Sequence, residues 1–327
     1  MTRRIGLLSL SLMASAAAAG CQSGEASAKA TATPRPPYDV AETAKWRATR
    51  EESLKAPDGW LSVAALIFLE PGVSTIGTDP TNQIVLPAGS GPARAGRVRL
   101  TDDKRVLVTL APGIEAQLNG QPVRGEIELR PESDNPSDKH PEDRLALGRL
   151  IVHRHFSGDR IALRVRDPES PVRRDFVGLR WWDIDPKWQI EGRFLPFDQP
   201  RKLQVQNVLG DREDAESPGE VEITIEGQTV RLLPLQAARG RLWFVFTDAA
   251  AAAGETYRIR FLYADAPKDG RVVLDFNRAY NPPCAYNPYT TCPLPPPQNK
   301  LTARIAAGER AYAGPHPDAV SISQSPE

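Results

Sequence analysis

Between residues 98 and 276 the apolar residues arrive in short runs, and Gly, Pro, Asn or Asp closes nearly every one. That rhythm narrows the choice of architecture. An amphipathic helix needs an apolar stripe sustained over ten or more positions, whereas a strand needs only a few residues between turn signals. Residues 98–100, 106–110, 116–118 and 127–129 read as strands, and residues 150–155 and 161–165 as a hairpin around Ser157-Gly158-Asp159. A second series follows at 188–194, 203–208, 221–225, 230–233, 242–246, 257–263 and 272–276, with a hairpin turn at Glu226-Gly227-Gln228. Short strands at this spacing predict a mainly β fold of two β-rich units, the first a sandwich and the second an antiparallel unit, divided near Pro171. Two segments read as helices, residues 39–56 and a short one at 300–311. In the first, Val40, Ala44, Trp46 and Leu54 form the apolar side and Glu42, Lys45, Arg47, Arg50 and Glu51 the polar one.

The start of the chain carries a different message. Arg3 and Arg4 precede an apolar stretch over residues 7–19, the pattern of a signal peptide covering residues 1–20. It ends Ala18-Ala19-Gly20-Cys21, so Cys21 is expected to be lipidated as the first mature residue. Residues 21–37 hold no large apolar side chain and read as a flexible linker from that anchor. The folded units are expected at 38–170 and 171–313, with a tail at 314–327 and a polar, proline-rich surface excursion at 131–143. The 41 Lys and Arg balance 41 Asp and Glu, which argues against a nucleic-acid partner.

Polar chemistry is densest at residues 275–297. There Asp275, Asn277, Arg278, Tyr280, Asn281, Tyr286, Asn287 and Tyr289 are set among Pro282, Pro283, Pro288, Pro293 and the run Pro295-Pro296-Pro297. Prolines stiffen the chain, and amides and phenols offer hydrogen bonds at fixed angles, which suits a binding site. On a strand, Asp275 and Asn277 would share a face. Arg164 and Arg166 show the same spacing and could together grip an anion. Cys284 and Cys292 in an exported loop read as a disulfide, with zinc ligation the alternative. His153 and His155, two apart on a strand, are weak metal-ligand candidates; no cofactor is expected.

The stretch DFNRAYNPPCAYNPYTTCPLPP, followed by Asn299, Leu301 and Gly308-Glu309, closely resembles the C-terminal signature of the bacterial "domain of unknown function 1684" family. Weaker correspondences include Trp46, Gly59-Trp60-Leu61, Leu69 with Gly72, the Arg164-Val165-Arg166-Asp167 run and Thr256-Tyr257, so the resemblance extends over roughly residues 40 to 310. It implies no established activity. A second resemblance joins Gly72, Ile76-Gly77, Asn82, Ile84, Leu86 and Asn119-Gly120, which are spaced like a forkhead-associated sandwich. In that family the fold binds phosphothreonine. Here Thr78 stands where its arginine belongs, and Pro92-Ala93-Arg94-Ala95 replaces its serine–arginine–histidine signature, so a phosphothreonine partner is not expected.

No G-x-S-x-G, S-x-x-K, P-loop or G-x-G-x-x-G motif is present. Three readings follow. The chain is an envelope lipoprotein, anchored at the periplasmic face of a membrane, that binds a small polar ligand or glycan through residues 275–289, with Arg164 and Arg166 contributing. Or it is a hydrolase of envelope substrates that draws two carboxylates from Asp183, Asp185, Asp248, Asp275 and Glu309. Or the signature is a clasp and the protein acts through partner contacts.

Overall fold

The strand rhythm is realised in four sheets. The structure, a computed structural model, describes residues 37–131 and 142–315. The signal peptide, Cys21, nearly all of the linker, and most of the polar excursion and the tail lie outside the described residues. The first half supplies β1 (Val63–Phe68), β2 (Gly72–Gly77), β3 (Ile84–Val85), β4 (Gly96–Leu100), β5 (Val106–Leu110), β6 (Ala116–Leu118), β7 (Gln121–Val123), β8 (Glu126–Leu129), β9 (Leu145–Leu147), β10 (Leu150–Ser157) and β11 (Arg160–Arg166). They form a six-stranded sheet in the order β1-β11-β10-β9-β6-β7 and a five-stranded sheet in the order β3-β2-β4-β5-β8. Between them sits a core that includes Ile76, Val98, Val106, Leu145, Val152 and Leu163.

The second half supplies β12 (Gln189–Gln206), β13 (Arg212–Ile225), β14 (Gln228–Leu232), β15 (Leu235–Gln236), β16 (Leu242–Phe246), β17 (Arg260–Ala264) and β18 (Arg271–Asp275). Their sheets run β14-β13-β12-β18 and β15-β16-β17. Val221, Ile223, Phe244, Phe246, Leu274 and Phe276 are among the residues of this second core. The turn between β13 and β14 places Glu226 at φ 50° and Gly227 at φ 79°, the left-handed pair that a tight hairpin requires.

Two runs read as separate strands, 188–194 and 203–208, are joined in β12. Pro196 and Pro200 look like breakers, but the strand passes them through a register shift between Pro196 and Arg201. The helix expected at 300–311 is absent, and that segment is extended. Leu301 N–H donates to the Thr247 carbonyl at 2.9 Å, Ala303 C=O accepts from Ala249 N–H at 3.1 Å, and Glu309 N–H reaches the Ala279 carbonyl at 2.8 Å. The overlooked signal is Leu301, Ala303, Ile305 and Ala307. All four are buried at a period of two, the spacing of a strand face and not of a helix.

The N-terminal helix forms as expected. Helix α1 spans Val40–Lys55, and the Asp39 side chain caps it by accepting Glu42 N–H. Its inner face differs from the expected one. Val40 is 49% exposed, while Thr43 and Leu54 are buried and Trp46, Arg47 and Arg50 half-buried. The helix docks through arginines. Arg47 donates to the carbonyls of Trp182 (2.9 Å) and Asn277 (2.9 Å), and Arg50 to that of Asn281 (2.7 Å). Among the described residues, no strand of the first half shares a sheet with one of the second. Yet α1, placed by the sequence in the first unit, packs on the second, and the described residues from Tyr38 onward form one compact unit.

Candidate functional site

The signature divides by side-chain type into a clasp and a wall. The asparagines form the clasp, and all are fully buried. Asn277 pairs with the backbone of Asp185, accepting at 3.0 Å and donating at 2.9 Å. Asn281 donates to Glu309 (3.0 Å) and to the Arg310 carbonyl (2.8 Å), and its own carbonyl side chain accepts Tyr257 N–H. Asn287 donates to the Val63 carbonyl at 2.6 Å, which stitches the signature to β1. Fully buried and engaged inside the fold on both sides, these amides present no hydrogen-bonding group at the surface.

Asp275, Arg278 and Tyr280 form the wall. With α1 and the ends of β17 and β18 they enclose a cleft of about 620 Å³. Asp275 and Asn277 do not share a face as their spacing suggested, because β18 ends at Asp275 and a single 3₁₀ turn follows at Phe276–Arg278. Asp275 caps that turn, accepting Asn277 N–H at 3.1 Å, and its second oxygen accepts the Tyr38 hydroxyl at 2.9 Å. Arg278 lies 3.3 Å from Asp275 and 3.1 Å from Glu42. Burial first, then the hydrogen bond to Asp275 and its charge, push the Tyr38 phenol up to about 12, against the opposing hydrogen bond with Thr43.

Aromatic rings line the cleft in a row. Tyr263 stacks on Tyr280 (6.5 Å between centroids) and Tyr280 meets Trp46 at 6.1 Å, while Trp243, outside the lining, stacks on Tyr263 at 5.9 Å. Two guanidiniums cover the row, Arg50 at 4.0 Å from the Tyr280 ring and Arg241 at 4.8 Å from the Tyr263 ring. Trp60, Asp265 and Val273 complete the rim. Strand periodicity picks out only the signature residues. Trp46 and Arg50, four apart on one helix, were read on opposite sides of it, and Arg241, Tyr263 and Asp265 reach the cleft only through tertiary packing.

The other candidates lie elsewhere. Arg164 and Arg166 do share a face, over the Trp60 ring at 5.3 and 5.5 Å, but neither lines the cleft. Arg166 donates to the Asp58 and Gly59 carbonyls, and Arg164 Nη2 lies 2.9 Å from His155 Nε2. A guanidinium at that nitrogen occupies the place a cation would need. His153 Nδ1 is 3.1 Å from Glu142, close but without hydrogen-bond geometry. Among the described residues no group of three or more His, Cys, Asp or Glu could hold a metal ion. The carboxylates named for hydrolysis are dispersed. Asp248 is fully buried against Arg260 at 2.6 Å, Glu309 is buried against Arg50 at 3.0 Å, and Asp185 caps a turn. Only Asp275 of that set lines the cleft.

Cys284 and Cys292 come together as buried thiols with no disulfide between them, not as the expected bridge. Cys292 Sγ accepts the Cys284 N–H at 3.2 Å, so the sulfur is engaged as a hydrogen-bond acceptor.

Residues 174–310 match the model of a family described as "Protein of unknown function (DUF1684)", so the family resemblance holds over the second β-unit and the whole signature. Among solved structures, the solution NMR structure of an uncharacterized protein from Haloarcula marismortui is 27% identical. It covers 44% of this chain and 82% of that one, at a TM-score of 0.37. A second, the crystal structure of the FhaA FHA domain complexed with the intracellular domain of Rv3910, is 19% identical over 31% of this chain and 97% of that one, at a TM-score of 0.21. No curated protein matches.

Proposed function

We propose that this chain is an envelope lipoprotein, anchored through Cys21 at the periplasmic face of a membrane, whose cleft binds a small polar ligand of the saccharide class. The observation that carries the reading is the row of Trp46, Tyr280 and Tyr263 beside Arg50, Arg241, Arg278 and Asp275. Ring faces give a sugar a flat apolar surface, and fixed charged groups at the edges hydrogen-bond its hydroxyls or a pendant carboxylate. Because Asp275 and Arg278 are already held by protein partners, the cleft is largely pre-organised, which lowers the entropy cost of binding.

Hydrolysis is less well supported, since a two-carboxylate mechanism needs both groups free beside one bond. Here Asp275 already accepts the Tyr38 hydroxyl and the Asn277 N–H and pairs with Arg278. Phosphothreonine binding is not part of the proposal. Thr78 donates to the Gly91 carbonyl and Asn82 holds the Asp79 and Ala93 carbonyls, so both residues are spent on loop structure.

Titration calorimetry against soluble muropeptides and lipopolysaccharide core oligosaccharides tests the reading. A binder should lose about tenfold or more in affinity in Tyr263→Ala and Arg241→Ala, each removing about 1–2 kcal/mol of stacking or ion contact. Absence of binding across the panel, or binding indifferent to both variants, overturns it.

A further inference from the structure

A smaller pocket of about 300 Å³ lies beside the cleft and shares Arg50, Trp60, Tyr263 and Tyr280 with it. Trp243, Phe261 and Pro283 make it apolar, and Thr290, Thr291 and Cys292 form its polar corner. Nothing in the saccharide reading uses that corner, and the proposal that follows does not depend on it.

The sulfur of Cys292 is surrounded by donors. It accepts the Cys284 N–H at 3.2 Å, and Thr290 Oγ1 lies 3.6 Å away. The Cys284 thiol also hydrogen-bonds to it. Donors converging on one sulfur favour its thiolate.

Arg164 supplies a second, independent observation. It is a largely buried guanidinium that takes part in no ion pair among the described residues, and its Nε has no partner. Its Nη2 meets His155, whose imidazole burial and Arg164 itself lower to about 3, so that neighbour brings no charge. Arg166 stands beside it with like charge, and the fields of Glu142, Cys292 and Glu213, in that order, oppose it without a direct ion pair. A buried cation without a direct ion pair is costly. An anionic Cys292, whose field reaches Arg164, would add to the negative charge that offsets it.

The two thiols are therefore unequal. Burial raises Cys292, but the Cys284 thiol, Thr290, the Cys284 N–H and the Arg164 charge outweigh it and hold Cys292 below the ordinary thiol range. Burial and the bond to Cys292 push Cys284 up, against the opposing influence of Tyr257 and Arg258. One acidic sulfur on a pocket wall, backed by a proton-retaining sulfur behind it, is the arrangement of an attacking and a resolving thiol.

We propose that Cys292 and Cys284 form a thiol–disulfide exchange pair acting on small disulfides with apolar or aromatic flanks that fit this pocket. The Cys292 thiolate attacks one sulfur of the substrate, the S–S bond breaks, and the departing thiolate takes a proton from water. Cys284 then gives its proton to solvent and attacks Cys292 Sγ, expelling the second thiolate, which is protonated in turn. The substrate gains two electrons and two protons as two thiols, and the protein is left with a Cys284–Cys292 disulfide. An external dithiol reductant restores it. Arg164 is a positioning residue that acts through the charge of Cys292.

The test uses the full chain carrying Cys21→Ser, so that only these two thiols remain, and the aromatic disulfide dithiobis-nitrobenzoate as probe. The expected result is release of two nitrothiobenzoates per chain, with no adduct retained and an internal disulfide in the peptide map. Cys284→Ser should release one and keep the other as an adduct on Cys292. Cys292→Ser should lose the fast reaction. Arg164→Met should slow it roughly tenfold at neutral pH and move the acid limb of the pH–rate profile up by about one unit. Because the variants could fold poorly, alkylation of the folded parent with limiting iodoacetamide gives a second readout, in which the Cys292 peptide should be labelled first. Preferential labelling of Cys284, or thiols that react only in denaturant, overturns the proposal.

Discussion

Asp275 and Asn277 stand two residues apart and meet different environments, and substitutions should report the difference. Asn281, like Asn277, is fully buried with its amide engaged on both sides. Asn281→Ala leaves Glu309 and the Tyr257 N–H short of partners and should cost on the order of 1–3 kcal/mol in a denaturant melt. Arg241→Ala, at an exposed rim, should change stability by less than about 0.5 kcal/mol while weakening any ligand the cleft holds. Equal losses in the two variants would erase the distinction between clasp and wall. The histidines make a pH prediction of definite sign. Burial first and neighbouring arginines second lower His153 to about 4, and burial with Arg164 lowers His155 to about 3. An unfolded imidazole titrates near 6.5, roughly, so the folded values are depressed. Their stabilising contribution is complete above that value and is lost as pH falls toward the folded ones, because the unfolded chain then binds more protons. Stability should drop by on the order of 1 kcal/mol per pH unit for each histidine between about pH 6.5 and 5. A flat profile in that window, or one unchanged by His155→Gln, would show that the imidazoles are not held neutral.

At the scale of elements, the C-terminal segment teaches how far periodicity reaches. Its extended path depends on Gly308, whose φ of +79° lies in the left-handed region and whose missing side chain leaves room for the Phe276 and Ala279 carbonyls. Gly308→Ala meets backbone that cannot yield, and it adds strain at that φ. It should destabilise by more than about 1 kcal/mol. A neutral Gly308→Ala would mean that the segment is free to move. Most strands from residue 98 onward were legible because they bury an apolar face in a core made by their own half, whereas β1, β2 and β3 were not read as strands. The missed features share one cause, which is that their partners are distant in sequence. Leu301, Ala303, Ile305 and Ala307 alternate like a strand, but they pair with residues near Thr247 and Ala279. Helix α1 was legible as a helix, read over 39–56 and found at Val40–Lys55, but its inner face was not. Arg47 and Arg50 look like solvent residues until the Asn277 and Asn281 carbonyls are placed opposite them. The cleft was half legible for the same reason. Asp275, Arg278 and Tyr280 announce themselves within one motif, while Arg241 and Tyr263 lie on elements the motif meets only after folding.

On the scale of the whole molecule, Arg50 is the junction. One guanidinium ties α1 to Glu309 near the C-terminal end (3.0 Å), to the Asn281 carbonyl within the signature (2.7 Å) and to the Tyr280 ring in the cleft (4.0 Å). Glu309 is fully buried, and burial raises its proton affinity even against the opposing pull of Arg50 and Asn281. Removing Arg50 therefore leaves a buried carboxylate without its counter-ion. Breaking such a pair from one side costs on the order of 3–5 kcal/mol, so Arg50→Ala should be the most damaging single change on α1. The pH dependence separates this account from simple loss of packing. A carboxylate whose folded pKa is raised contributes stability that is complete below its unfolded value, near 4.3 or so, and lost as pH rises through the folded one. In Arg50→Ala the rise is larger, because the one cation that opposed it is gone. At neutral pH the variant pays to bury a charge. Near pH 4 Glu309 is protonated in both proteins and that penalty disappears. The stability gap between parent and Arg50→Ala, measured by denaturant melts, should thus narrow markedly from about pH 7 to about pH 4. Arg50→Ala/Glu309→Gln should recover much of the loss at pH 7. A gap that stays constant with pH, or a double variant no better than the single one, would reduce Arg50 to a packing residue.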